Sequence, residues 1–328
     1  MVNCFRILGF ACALLVAGTA QAQSNGTLAA YPARAVHWIL PGAPGSPPDV
    51  AARIVGEGLA RELGQPVIVE NRPGASGTIA LAAVAKLAPD GYTLGMLSVP
   101  LVVAPSVFPA LAYDTERDVV PVTQFAQTRY LLAVRSDSQI HTVEELVAMA
   151  KANPGRLTFS SAGNGTVPHL AGELLRLRAG IDIRHIPYKS GPFALTALLG
   201  SQVDMLFSTP SSLSAHLKSG KLRALATPAP SRLPGYPEVP TTAEAGFPGI
   251  ELSDWFGIAT PAGTPRAVVN RLSVAVHNVL AQSETSGRLA AAGMYPVLDS
   301  APDRFALVVQ SELQRWATVV REAGIHAD

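Results

Sequence analysis

Residues 36–55 read VHWILPGAPGSPPDVAARIV, and the folding of this stretch decides what kind of molecule the chain makes. VHWIL (36–40) is short, apolar and rich in β-branched and aromatic side chains, the pattern of a buried strand. Gly42 and Gly45 break it, and apolar residues then recur at helical spacing. Ser46 stands where an N-cap would, Pro47 fits the first helical position, and Asp49 is placed to close a capping box. The stretch therefore predicts a strand, a glycine-bearing loop and a helix over 47–63. Such a loop is a natural anion site, because unpaired N–H groups and the positive end of the helix dipole point the same way. Pro44, Pro47 and Pro48 carry no N–H, however, and no Gly-Lys-Ser/Thr follows, which argues against a phosphate cradle.

Outward from this stretch the same alternation continues. VIVE (67–70) and YTLGML (92–97) read as strands on either side of a helix at 78–87. A second series starts near residue 130 with the strand YLLAV (130–134), a helix capped by Thr142 and Glu145, and the strand LTFSS (157–161). AGNGTVPHLAGELLRL (162–177) then repeats the opening theme of two loop glycines, an early proline and an apolar helix face. IRHIPY (183–188), VDMLF (203–207) and LRALAT (222–227) add strands, with helices at 192–199 and 211–218 between them. Strand and helix alternation implies parallel sheet covered by helices, and two such series imply two α/β lobes. The proline-rich 227–249 is too broken for regular structure. WFGIATPAGTP (255–265) returns as a strand to the first lobe, with helices at 265–282 and 302–323. Hinge strands are expected near 121–134 and 250–260.

The N-terminus reads as an export signal: Arg6, an apolar run from Ile7 to Ala17, and Ala20-Gln21-Ala22 before a cut after Ala22. The run is shorter than the roughly 20 residues of a membrane span. Both cysteines, Cys4 and Cys12, fall inside this leader, so the mature chain is expected to hold no disulfide. The 25 basic side chains become 24 without Arg6, against 24 acidic ones. That balance speaks against nucleic acid as a partner, which asks for a basic face.

Several segments closely resemble the Bug family, the periplasmic solute-binding receptors of tripartite tricarboxylate transporters. They are ENRPGASGTIA (70–80), APDGYTL (88–94), SSAGNGT (160–166) with HLAGELL (169–175), IPYKSGPFALTALLGSQVDMLF (186–207), VPTTAEAGFPG (239–249) and WFGIATPAGTP. The resemblance covers essentially all of the mature chain in order. It implies a type II periplasmic-binding-protein fold, a ligand in the cleft between two lobes, a small organic acid as that ligand and a membrane permease as partner. It divides the chain into a signal peptide (1–22), lobe 1 (30–127 and 251–328) and lobe 2 (128–250), in a protein expected to be monomeric, periplasmic and without cofactor or metal. One departure stands out. The family usually carries phenylalanine where this chain has Gly42, and a Gly-Gly-Gly-Thr or Gly-Gly-Pro-Ser-like run before the aspartate, where this chain has Ser46-Pro47-Pro48. Loss of the ring is expected to widen the cleft and admit a larger or less charged ligand than a C4 dicarboxylate.

A carboxylate in a closing cleft needs donors from both walls. In lobe 1 the candidates are Gly42, Ala43, Gly45 and Ser46; in lobe 2 they are Ser161, Gly163, Asn164, Gly165 and Thr166. His169 three residues on, Tyr188 after its strand, Asp204 in VDMLF and Ser98 at the end of YTLGML complete the candidate set. Arg72 and Lys189 are assigned to loop stabilisation. Charge-assisted hydrogen bonds of about 1.5–3 kcal/mol each make a main-chain clamp sufficient without lysine. Two rival readings are a ligand-sensing partner of a sensor kinase and a hydrolase using Ser160 or Ser161 with His169 and Asp204. The second lacks a Gly-x-Ser-x-Gly elbow. His169 and Glu173 share a helix face, but no third metal ligand is evident.

Overall fold

The computed structural model describes residues 31–108 and 110–325, so the expected leader lies outside the described residues. In chain order the elements are β1 (Val36–Leu40), α1 (Pro47–Leu63), β2 (Val67–Asn71), α2 (Thr78–Val84), β3 (Thr93–Ser98), α3 (Val99–Val107) and β4 (Val119–Thr128). There follow β5 (Leu131–Arg135), α4 (Val143–Ala152), β6 (Thr158–Ser161), α5 (Val167–Ala179), β7 (Arg184–Pro187), α6 (Gly191–Leu199), β8 (Met205–Ser208), α7 (Pro210–Lys218) and β9 (Leu222–Ala226). The chain ends with β10 (Asp254–Pro261), α8 (Arg266–Leu280), α9 (Ser283–Ala291), β11 (Met294–Pro296) and α10 (Pro302–Ala323).

These strands form two sheets, ordered β11-β4-β10-β3-β1-β2 and β7-β6-β8-β5-β9. In the first, β1, β2 and β3 are parallel and β10 runs antiparallel between β3 and β4. In the second, β6, β7 and β8 are parallel, with β5 antiparallel between β8 and β9. The chain passes from sheet to sheet twice, at Arg129-Tyr130 and along 227–253. Both passages join the edges at which the parallel strands end, so the carboxyl ends of the two sets of strands face each other. In open α/β sheets this edge is where ligands bind. The N-termini of α1, α3, α5, α6 and α7 all start there, each following its strand within a few residues.

Burial explains the order. Trp38, Leu40, Leu94, Phe125 and Ile258 are fully buried in the core beneath α1 and α8. A larger core runs without interruption from α3 and α10 to Phe159 on the second sheet and Leu170 and Leu174 on α5. The helix expected at 78–87 stops at Val84, where Lys86 and Leu87 bond back into a tight turn. Three elements went unread in the sequence: α3, apolar all round and holding two prolines, α9 and the short β11. The 227–249 stretch forms no helix and only isolated bridges, as its prolines require. Among the described residues no helix is long and apolar enough to cross a membrane.

Candidate functional site

The loops after β1 and β6 are built to one plan. Adding 120 to the residue number maps Ala43 on Gly163, Gly45 on Gly165, Ser46 on Thr166, Pro48 on Pro168 and Asp49 on His169. In the first loop Ser46 caps α1 with extended backbone, its N–H and hydroxyl both donating to Ala43 O (3.1 and 2.6 Å). In the second, Thr166 caps α5 and donates in the same two ways to Gly163 O (3.4 and 2.7 Å). Gly45 and Gly165 hold φ of +79° and +73°, where a side chain would be strained. Each donates its N–H to the third residue of the helix behind it, Gly45 to Asp49 Oδ2 (2.9 Å) and Gly165 to His169 Nδ1 (3.0 Å).

This corrects the simple main-chain clamp. Gly45, Ser46, Gly163, Gly165 and Thr166 all turn their N–H groups into their own loops, Gly163 donating to Ser161 Oγ (3.0 Å). Among the described residues, no partner is found for the N–H groups of Gly42, Ala43, Ala162 and Asn164. First-turn N–H groups have no partner within a helix. With two prolines α1 keeps only Asp49 there, whereas α5 keeps Val167 and His169. The expected capping box also differs, since Asp49 reaches the N–H of Gly45 and not that of Ser46.

What stands behind each loop differs in charge. Asp49, 3% exposed, takes hydrogen bonds from Arg53 Nε (3.0 Å) and Asn71 Nδ2 (2.9 Å) besides Gly45. Burial works against its ionisation, but these bonds outweigh it and hold its pKa below the usual carboxylate range. Asn71 also donates to Gly42 O (2.9 Å), tying the loop to the end of β2. Behind the second loop, His169, 5% exposed, stacks on His185 with ring centroids 3.9 Å apart, and Phe159 lies beside both rings. His185 Nε2 lies 2.6 Å from Ser161 Oγ. Burial lowers the His169 pKa to about 3, helped by the charges of His185 and Arg176, and lowers His185 to about 4. The His169–Glu173 approach (3.8 Å) is therefore no ion pair at neutral pH; Glu173 bonds Arg176 Nε at 2.6 Å.

Ser98 is buried at the N-terminus of α3 without capping it; Asp254 accepts the Val99 N–H at 3.4 Å. Tyr188 lies beside the second loop through its N–H to Ser161 O (3.0 Å), while its hydroxyl approaches Gln202 Oε1 at 3.4 Å. Asp204 stands apart from the rest. It precedes β8 at the amino edge of the second sheet, and its Oδ2 accepts both the N–H and the hydroxyl of Thr158 (2.8 Å each). Ser161 lies at the other end of β6, roughly 10 Å along the strand. The Asp204 carboxylate thus joins two strand starts and does not reach the edge where the other candidates gather.

A family profile described as "Tripartite tricarboxylate transporter family receptor" matches residues 51–325. The chain belongs to this receptor family. Three solved structures show the same fold. The periplasmic binding protein BugD is 31% identical, with 90% of this chain and 100% of that one covered and a TM-score of 0.78. MatC from Rhodopseudomonas palustris with bound malate is 34% identical (88% and 100% covered, TM-score 0.77). Rpa4515 from R. palustris with adipate is 30% identical (90% and 100% covered, TM-score 0.79).

As a member of the receptor family the chain has the type II periplasmic-binding-protein fold that the sequence implied. The hydrolase reading named the wrong pair: Ser161 meets His185 and not His169, Ser161 is fully buried, and its hydroxyl is engaged with Gly163. Sequence reasoning missed the residues behind the loops, Asn71 and His185. Their only signal was a polar side chain inside or ending an apolar strand. It also missed Asp254, and Thr209, which caps α7 by accepting the Ser212 N–H. Two grooves of about 420 and 440 Å³ lie on α10 around Leu307, Gln310 and Gln314, away from the facing strand ends.

Proposed function

We propose that the protein is a periplasmic receptor that captures a small organic carboxylate between its lobes and delivers it to the permease of a tripartite tricarboxylate transporter. The lobes follow the sheets, 30–127 with 251–328 and 128–250. The observation that carries the reading is the pair of twin loops at the facing edges, each presenting unpartnered N–H groups ahead of a helix N-terminus. The free donors of Gly42, Ala43, Asn164 and Val167 contact the acid. Gly45, Ser46, Ser161, Gly163, Gly165, Thr166 and His169 hold the loops that present them, and Ser98 and Tyr188 border the cleft. Malate and adipate in related receptors support the ligand class. Ligand bridging both loops favours the closed state by what it gains there and not in the open one. The lobes already touch beside the crossover, where a Cβ on Gly293 would lie 3.1 Å from Ser211 Oγ.

Thermal unfolding against a panel of carboxylic acids tests this reading. An acid at about 100 times its Kd adds roughly 2.7 kcal/mol to stability. No response to any acid in the panel would sink it. A deletion strain that lost uptake of the responding acid would support the permease as recipient; unaffected uptake would count against it.

A further inference from the structure

The floor of the cleft, between the two crossings of the chain, holds a carboxylate with work left undone. Asp254 opens β10 at the second crossing, and its Oδ1 accepts both the Val99 N–H (3.4 Å) and the Trp255 N–H (2.9 Å). No partner for Oδ2 is found among the described residues, and the residue is only half-buried. Thr128 is the registered partner of Asp254 across β4 and β10. It is 3% exposed, and its hydroxyl makes no well-formed hydrogen bond among the described residues, lying beside the hydroxyl of Tyr130. Tyr130, at the first crossing, is near enough for the Asp254 charge to help burial raise its pKa. Ser98, two strand positions from Asp254 across β3, adds a buried hydroxyl not engaged in capping. Among the described residues no cationic side chain is paired with Asp254. A buried hydroxyl without a well-formed hydrogen bond and a carboxylate with one idle oxygen carry a standing cost unless something binds them.

We propose that Asp254, with Thr128 and Ser98, forms a polar subsite on the cleft floor that selects acids carrying a hydrogen-bond donor, an ammonium or hydroxyl group, besides the carboxylate. This rests on the carboxylate reading above and narrows its ligand class to amino or hydroxy acids. Its logic is charge and geometry. The twin loops supply N–H donors and suit oxygen anions; the floor supplies acceptors and suits the opposite kind of group. A second carboxylate on the floor would face Asp254 with like charge. Burial already pushes the Asp254 pKa up to about 7, against the pull of its two backbone donors, so its charged form lacks a counter-group that a ligand can provide.

Two matched sets of probes test it by titration calorimetry: succinate, malate and aspartate, and adipate with 2-hydroxyadipate and 2-aminoadipate. Within the set that binds, the substituted acid is expected to bind at least tenfold more tightly than its plain parent. Asp254→Asn keeps an acceptor oxygen but removes the charge, so it should cut an ammonium preference about tenfold while sparing a hydroxyl preference. Asp254→Ala should erase both. Wild-type protein that binds plain and substituted acids alike overturns the proposal and leaves the carboxylate reading standing, as does discrimination that persists in Asp254→Ala. Failure of all six acids to bind overturns the proposal, and the carboxylate reading then falls only if the wider acid panel fails too. Unfolding of each variant in urea, alongside the titrations, separates lost selectivity from lost fold.

Discussion

The two loops that face each other across the cleft share a left-handed glycine (Gly45 and Gly165), a hydroxyl-bearing N-cap and the prolines at 48 and 168, and differ in what accepts that glycine's N–H. In the first loop it is the carboxylate of Asp49; in the second it is the imidazole of His169. One geometry is thus held by an anion on one side and a neutral ring on the other. The difference teaches that the loop shape is what the fold preserves, while the supporting side chain answers to its surroundings. Asp49 has Arg53 and Asn71 to compensate its charge. His169 lies among Phe159, His185 and Leu170, where only a neutral acceptor is tolerable.

The largest consequence is in pH. Both histidines have folded-state pKa values below the ordinary 6.5, so the unfolded chain binds protons that the folded chain does not. Their support is complete above pH 6.5 and is lost as pH falls toward about 4 and 3. The groups facing His169 are His185 from β7, Gly165 from its loop, and Glu173 and Arg176 from its own helix. Each histidine contributes a slope approaching about 1.4 kcal/mol per pH unit, so the pair should lose up to about 4 kcal/mol between pH 7 and pH 5. Asp49 loses its contribution in the same direction but in a lower window: its lowered pKa keeps that contribution intact above the unfolded carboxylate value and loses it only below that. Urea unfolding as a function of pH should therefore weaken first through lobe 2. A curve for a His169→Phe, His185→Phe double variant that kept the same slope between pH 6.5 and 5 would break the comparison.

Next in size is removal of the anion itself. Asp49→Ala strips the acceptor from Gly45, Arg53 and Asn71 at once, for a loss of about 3 kcal/mol. His169→Ala removes one acceptor and part of a ring stack, and about 1–2 kcal/mol is expected. Equal losses in urea melts would mean that the two supports are not distinguished by charge.

Much of this was legible in the sequence, for a definite reason. Residues 36–40, 47–63 and 302–323 announce themselves by period and by the glycines and prolines at their ends, and the observed elements coincide with them. Repetition of the loop theme at 162–177 was visible as well. What stayed hidden was direction. A sequence shows that Gly163 and Gly165 have N–H groups but not that Ser161 Oγ and His169 Nδ1 already receive them. Asp204 was misplaced for a similar reason, since pattern does not say which end of a parallel strand meets the cleft. Gly172 gives the complementary case: a Cβ there would overlap the Phe159 ring, a demand that appears only once β6 and α5 are packed. Its lobe 1 counterpart, Ala52, carries its methyl group fully buried.

The smallest expected effect concerns Gly42, where the first loop departs from the family pattern. Loss of the aromatic ring suggested a wider cleft, but part of the room is already taken. A Cβ on Gly42 would overlap Ser46 Oγ and lie 2.6 Å from Pro48 Cγ, so the glycine and the Ser46-Pro47-Pro48 run depend on each other. Gly42→Phe alone must push the loop aside, at a cost of about 1 kcal/mol, the low end for overpacking because the loop is largely exposed. Combining it with Ser46→Gly and Pro48→Thr removes both obstacles and should recover most of that loss in urea melts. The second loop accommodates Ala162 together with Thr166 and Pro168, on a backbone that differs at Gly163 (φ +122°), so the crowding at Gly42 belongs to the first loop's own conformation. A triple variant no more stable than Gly42→Phe would show that the ring is excluded by something other than its own loop, and the mutual dependence inferred for the first loop would fall.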